Sequence, residues 1–181
     1  MNKKRKIIQD YNSSAEFYNR RYRDLQNYKF RLIFTKIRLK KGIYLDAGSG
    51  TNLFLEFLKS QGNYESIRVI CLDISLEMLK IGKDTQSNDH LILGDIENLP
   101  LKPVIFDGVL SFTSLQNIPN IKSGVDEIQR VVKENGIVAI TLLKKKMELS
   151  KLRRLFNKRI KNLSIVKDDK CEDWILFRNS D

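Results

Sequence analysis

A chain of 181 residues, 41% hydrophobic and 30% charged, is long enough for one sheet covered on both faces and too apolar for a disordered segment. Its formal net charge of +11 and pI near 9.6 exceed what solubility needs and predict attraction to polyanions such as RNA or an anionic membrane surface; a generically Lys-rich proteome gives the same excess. No apolar run reaches transmembrane length, Met1-Asn-Lys-Lys-Arg-Lys6 is followed by no sufficient apolar region, and Cys71 and Cys171 lack metal-ligand spacing. A single cytoplasmic domain with two buried thiols, no disulfide, no zinc site, no secretory leader and no transmembrane segment is therefore expected.

Residues 1–40 carry no strand signal. They mix Tyr11, Phe17, Tyr18, Tyr22, Tyr28, Phe30 and Phe34 with Arg20, Arg21, Arg23, Lys29 and Arg31, which predicts helices. Ser13-Ser14-Ala15-Glu16 offers a capping arrangement to open one of them, and Phe30, Ile33, Phe34 and Ile37 recur at helical spacing as a core stripe.

The organising stretch is Gly42-Ile-Tyr-Leu-Asp-Ala-Gly-Ser-Gly-Thr51. Ile43, Tyr44 and Leu45 read as a strand buried on both faces, with Asp46 at its carboxyl end, where open α/β sheets take their ligands. Gly48 and Gly50 make a turn that lets a ligand approach the backbone, and Thr51-Asn52 can cap a helix over Leu53–Lys59. A dinucleotide fingerprint needs a third glycine where Leu53 stands, and no Gly-Lys-Ser/Thr of a P-loop is present. The stretch resembles motif I, Asp-x-Gly-x-Gly, of the class I S-adenosylmethionine-dependent methyltransferases.

Strand, helix and acid then recur. Ser66–Asp73 is a buried strand ending in an acid 27 residues after Asp46, and Ser75–Gly82 is a serine-capped helix. His90–Asp95 ends in a third acid, and Phe106–Thr113 is a fourth strand. Lys122–Lys133 is a helix stopped by Glu134-Asn-Gly136, and Ile137–Leu143 is a fifth strand. Met147–Lys161 is an amphipathic helix with Lys151, Arg153, Arg154, Lys158, Arg159 and Lys161 largely on its polar side, and Leu163–Val166 with Cys171–Phe177 forms an antiparallel hairpin. His90 begins its strand, opposite the ligand end, and reads as structural.

This order resembles the class I methyltransferase fold from Tyr11 to Phe177: a Rossmann-like α/β domain over residues 1–181. The resemblance implies a seven-stranded, mostly parallel sheet with one antiparallel edge strand, helices on both faces, and a helical segment 1–40 ahead of a core 41–181. It also implies S-adenosylmethionine as cofactor. Asp46, Ala47, Gly48 and Gly50 would cradle it, Asp73 would take the ribose hydroxyls, Asp95 and the Ile96 backbone would meet the adenine, and Ile74 would pack on its face. Ser111 and Phe112 would stand beside the reactive methyl, and Tyr11 and Tyr18 would either form a lid across the cleft or simply pack.

Methyl transfer from a sulfonium needs alignment rather than a nucleophilic triad. Ser111-Phe-Thr-Ser114 is neither Asn-Pro-Pro-Tyr/Phe nor a cysteine site, which argues against adenine N6, glutamine amide and covalent pyrimidine chemistry. The catalytic candidates are Ser111, Thr113, Gln116 and Asn117; the last three meet an acceptor or cap the following helix. Lys144-Lys145-Lys146 at the cofactor edge and the basic amino-terminal segment predict a positively rimmed cleft with RNA (tRNA or rRNA) as the preferred acceptor. A small-molecule or protein acceptor is the alternative, suggested by Tyr11, Tyr18 and Leu99-Pro100, and a silent methyltransferase-like binding module is the third reading. Small enzymes of this type sometimes need a separate activating subunit.

Overall fold

The computed structural model describes residues 3–62, 65–84 and 90–180. No Gly or Pro interrupts residues 3–34, and they form one helix, α1 (Lys3–Phe34), about 48 Å long at 1.5 Å per residue. Ser13 and Ser14 do not open a helix; their hydroxyls donate back to Asp10 O at 3.0 and 2.8 Å inside α1.

The core follows as β1 (Gly42–Ala47), α2 (Leu53–Ser60), β2 (Ile67–Asp73), α3 (Leu76–Asp84), β3 (His90–Leu93), β4 (Phe106–Phe112), α4 (Ile121–Val131), β5 (Val132–Leu143), α5 (Leu149–Phe156), β6 (Ser164–Val166) and β7 (Asp173–Arg178). The seven strands form one sheet in the order β3-β2-β1-β4-β5-β7-β6. Strands β1 to β5 pair in parallel, and β7 runs antiparallel to both β5 and the short β6 outside it. The mostly parallel Rossmann-like sheet with an antiparallel edge pair is thus present.

Three boundaries differ from the sequence reading. Asn52 precedes α2 in the left-handed region at φ 62 without a side-chain cap, and Thr51 instead hydrogen-bonds Asn19 of α1. The stretch Glu134–Gly136 lies inside β5: the pairing jumps from Phe106↔Val132 to Gly108↔Ile137, so the extra residues bulge rather than stop a helix. Helix α5 is shorter than 147–161, and Asn162 turns the chain at φ 57 toward β6.

Two apolar clusters cover the sheet. On one face Phe30 and Ile33 of α1 and Phe54 of α2 pack on Tyr44, Leu110 and Phe112. On the other, Val125 and Ile128 of α4 and Leu152 and Phe156 of α5 pack on Leu45, Val109 and Ile140. Cys71 and Cys171 are both buried, and no helix among the described residues is long and apolar enough to cross a membrane.

Candidate active site

Strand β1 lies between β2 and β4, so the strand order reverses there, and the crevice beyond these carboxyl ends is where such a sheet takes its ligand. The turn after β1 holds Gly48 at φ +83 and Gly50 at φ +55. A Cβ on Gly48 would collide with the Ser114 side chain, whereas nothing lies within 4 Å of one on Gly50, so the second glycine leaves its backbone approachable.

Asp46, next to last in β1, is 1% exposed, and neither carboxylate oxygen has a hydrogen-bond partner among the described residues. Burial, with the Asp73 charge adding to it, pushes its pKa up to about 8. Asp73 ends β2, where its Oδ2 accepts from Gly50 N at 2.9 Å and its Oδ1 from Ser75 N at 2.8 Å. Burial raises the Asp73 pKa, and these backbone donors oppose the rise.

Helix α1 roofs the crevice from end to end. Lys4 Nζ pairs with Asp95 at 2.5 Å and Glu97 at 2.8 Å, Asn12 joins Ser75 at 2.6 Å, and Asn117 Nδ2 donates to Tyr11 OH at 2.6 Å. Near the other end, Lys29 Nζ meets Thr113 Oγ1 at 2.7 Å and Asp173 Oδ2 at 3.0 Å, and Thr113 Oγ1 donates to the same Asp173 oxygen at 2.8 Å. Thr113 is β-branched yet sits at φ 56, a strain of about 1–3 kcal/mol that this buried cluster holds in place.

Beneath α1 the crevice divides in two. An inner cavity of about 60 Å³ is lined by Gly48, Gly50, Asp73, Ile74, Met78 and Ile96. An outer cavity of about 430 Å³ is lined by Arg21, Tyr22, Gln26, Lys29, Gln116 and Lys145. Tyr11, Tyr18, Thr113 and Asn117 line both, and so form the wall between them. Burial holds both tyrosines neutral, raising the Tyr11 pKa and pushing that of Tyr18 up to about 12. A larger groove of about 870 Å³, lined by Phe34, Lys40, Lys41, Ser66 and Ile67, lies at the amino ends of β1 and β2, away from these acids.

Residues 45–140, just over half of the chain, match the family described as Methyltransferase domain. The chain belongs to that family. A malonyl-[acyl-carrier protein] O-methyltransferase of Hamiltonella defensa is 35% identical over 63% of this chain and 43% of its own length, so the chain spans less than half of that relative. A SAM-dependent methyltransferase of Thermotoga maritima superposes with a TM-score of 0.76 at 16% identity, covering 96% of this chain and 99% of that one. A chain from the Haloferax volcanii complex between the Trm112 methyltransferase activator and a methyltransferase gives 0.71 at 14% identity, covering 94% and 97%.

The methyltransferase fold and its S-adenosylmethionine cofactor, both expected from motif I, thus stand, and the residues fit that cofactor. The unmatched Asp46 carboxylate suits a cationic ligand, the open side of Gly50 suits close backbone approach, and Asp73 can accept from a diol. Of the residues read from sequence, Tyr11, Tyr18, Gly48, Gly50, Asp73, Ile74 and Ile96 line the inner cavity, with Asp46 buried beside Asp73.

Four others do not face it. Ala47 is fully buried, and its carbonyl accepts from Ser111 Oγ at 2.8 Å, so both serve β1–β4 packing. Phe112 points into the aromatic core, its ring centroid 4.7 Å from that of Phe30 and 5.0 Å from that of Phe54. Asp95 is engaged by Lys4 and by Glu97 N rather than facing the inner cavity. Gln116 and Asn117 both donate to Thr113 O, which ties the turn after β4 while they line the cavities. Lys144 does not rim the cleft either: its Nζ donates to Asp168 O at 2.6 Å and Cys171 O at 2.7 Å, and it lies 5.4 Å from the Trp174 ring centroid.

The sequence reading missed the Lys29–Asp173 pair and Lys4. A lysine between Gln26 and Ile33 on the stripe that carries Phe30 was the available signal, because a cation on an apolar face needs a buried partner.

Proposed function

We propose that residues 1–181 act as one methyltransferase domain that transfers the methyl group of S-adenosylmethionine to a small or carrier-presented acceptor reaching the donor through the outer cavity. When bound, the donor supplies a sulfonium whose methyl carbon is open to in-line displacement. The observation that carries this reading is the Asp46 carboxylate, buried without a partner between a glycine turn and Asp73. Its oxygens suit the cationic amino-acid end of the donor, while Asp73 accepts from the ribose and Ile74 and Ile96 hold the base. Tyr11 and Tyr18 exclude water from the wall where donor and acceptor meet.

The size of the outer cavity, about 430 Å³, and the name of the Hamiltonella relative favour a small or acyl acceptor over a polymer. RNA is the second reading, supported by the net charge of +11 and the exposed Lys151, Arg153 and Arg154 of α5 with Lys158 just after it. That basic stripe belongs to the helix packed on the sheet face opposite α1 and α2, which places it away from the roof of the cleft. A cytoplasmic setting belongs to the same reading, as does an activating subunit, for which the Haloferax complex is the support. Labelled donor incubated with the chain and fractionated cell metabolites, protein and RNA is expected to mark the metabolite or carrier-protein fraction. Label confined to RNA overturns the acceptor assignment, and no binding of S-adenosylhomocysteine by calorimetry overturns the transferase.

A further inference from the structure

We infer that the outer cavity is the acceptor site and that it takes a carboxylate, drawn in by Arg21 and Lys145 at its mouth and met by Lys29 inside; the inference rests on the methyl-transfer reading above. The cavity touches the donor side only through Tyr11, Tyr18, Thr113 and Asn117, so the attacking atom has to pass that wall.

The charges around the cavity favour an anion. Arg21 and Lys145 are exposed and have no carboxylate at ion-pair distance among the described residues, and Arg21 stacks 5.3 Å from the Tyr22 ring centroid. Lys29 is a buried residue of the cavity lining whose Nζ lies 2.7 Å from Thr113 Oγ1 and 3.0 Å from Asp173 Oδ2, which balances its charge. Glu172 is the opposing charge on the lining, exposed and not part of the wall. The aromatic side is supplied by Phe17, Tyr18 and Tyr22, which suits an acyl or aryl body behind the charged head.

The wall also lacks a base. Its titratable groups are two tyrosines held neutral by burial, and the Thr113 hydroxyl is committed to Asp173. An alcohol or an ammonium must lose a proton to become the nucleophile, and nothing on the wall takes it. A carboxylate arrives ionised. Its oxygen forms a bond to the methyl carbon as the carbon–sulfur bond breaks, and the electron pair stays on sulfur. The products are a methyl ester and neutral S-adenosylhomocysteine, with no proton moved. Gln26 Oε1 and Gln116 Oε1, buried without donors on the outer lining, make an amine the competing class.

The test uses the full chain loaded with S-adenosylhomocysteine and titrated with 3-phenylpropanoate and with 3-phenylpropylamine, followed by NMR shift perturbation. The carboxylate is expected to bind and the amine not, with affinity falling about fivefold in the Arg21→Ala/Lys145→Ala double variant and falling with added salt. In a parallel transfer assay with cell metabolites and labelled donor, mild alkali is expected to release the label as methanol, as an ester requires. Tighter amine binding, no carboxylate binding, an unchanged double variant or alkali-stable label overturns the carboxylate site while leaving the transferase reading intact. Failure of the wild-type chain to bind S-adenosylhomocysteine instead overturns the transferase, and this inference with it.

Discussion

The two ends of α1 are held by different physics. Its carboxyl-terminal part is core: Phe30 and Ile33 are 2% and 0% exposed, and Phe30 packs edge-on against both Phe54 and Phe112. Its amino-terminal part is fastened by polar contacts across the crevice, from Lys4 to Asp95, Tyr11 to Asn117 and Asn12 to Ser75. Apolar burial is costly to undo, whereas partly exposed ion pairs and single hydrogen bonds are worth about 1 kcal/mol apiece. The inner cavity, at about 60 Å³, is also well below the ~300 Å³ of ordinary ligand sites. One continuous helix is therefore buried core at one end and, at the other, a cover fastened by polar contacts over a small cavity.

The sharpest way to break this comparison is at the fixed end. Phe30→Ala should cost about 3–5 kcal/mol of global stability, read as a lowered midpoint in urea; a loss below 1 kcal/mol would mean that this end is not core. Beneath the roof, Asp46 tests burial without a partner. Its folded pKa, raised from 3.8 to about 8, means the folded state holds the proton more tightly, so its contribution to stability falls as pH rises through that window. Asp46→Asn should remove that slope, so its unfolding free energy should gain on that of wild type between pH 4 and pH 8, by an amount on the order of a few kcal/mol at the upper end, read from urea midpoints across the range. A constant difference across the range contradicts a buried, unmatched carboxyl.

At the roof the effects should be small. Tyr11→Phe removes one hydrogen bond with Asn117 and should cost about 1 kcal/mol in thermal unfolding. Lys4→Ala, whose side chain is 36% exposed, should cost less than about 1 kcal/mol while releasing Asp95, and so should speed donor association in stopped-flow mixing. A slower association would mean that Lys4 helps the donor rather than holding the roof shut.

Much of this site could be read from the chain because its parts are local. Asp46 with Gly48 and Gly50, and Asp73 with Ser75, each lie within a few residues of a strand end, and the parallel sheet then brings these ends together. What escaped reading depends on distant pairing. Nothing near Asp95 announces Lys4, which reaches it only because α1 runs unbroken across the sheet. Ser111 and Phe112 were placed at the right strand end but not on the right face, since alternation turns Phe112 toward Phe30 and Ser111 toward Ala47. Of the tyrosine-rich segment the structure shows the packing: Tyr11 and Tyr18 line both cavities, and Tyr11 OH accepts from Asn117 Nδ2 at 2.6 Å.

The most direct measurement is an S-adenosylhomocysteine titration of wild type and Asp73→Ala by calorimetry, with amide hydrogen exchange on the wild-type complex. One equivalent should bind, affinity should fall about tenfold or more in Asp73→Ala as hydrogen bonds to a charged acceptor are lost, and exchange should slow in residues 3–19 while residues 26–34 stay as protected as before. Equal affinity in the two proteins, or binding that leaves residues 3–19 unchanged, would contradict a donor site between these carboxylates and the amino-terminal part of α1.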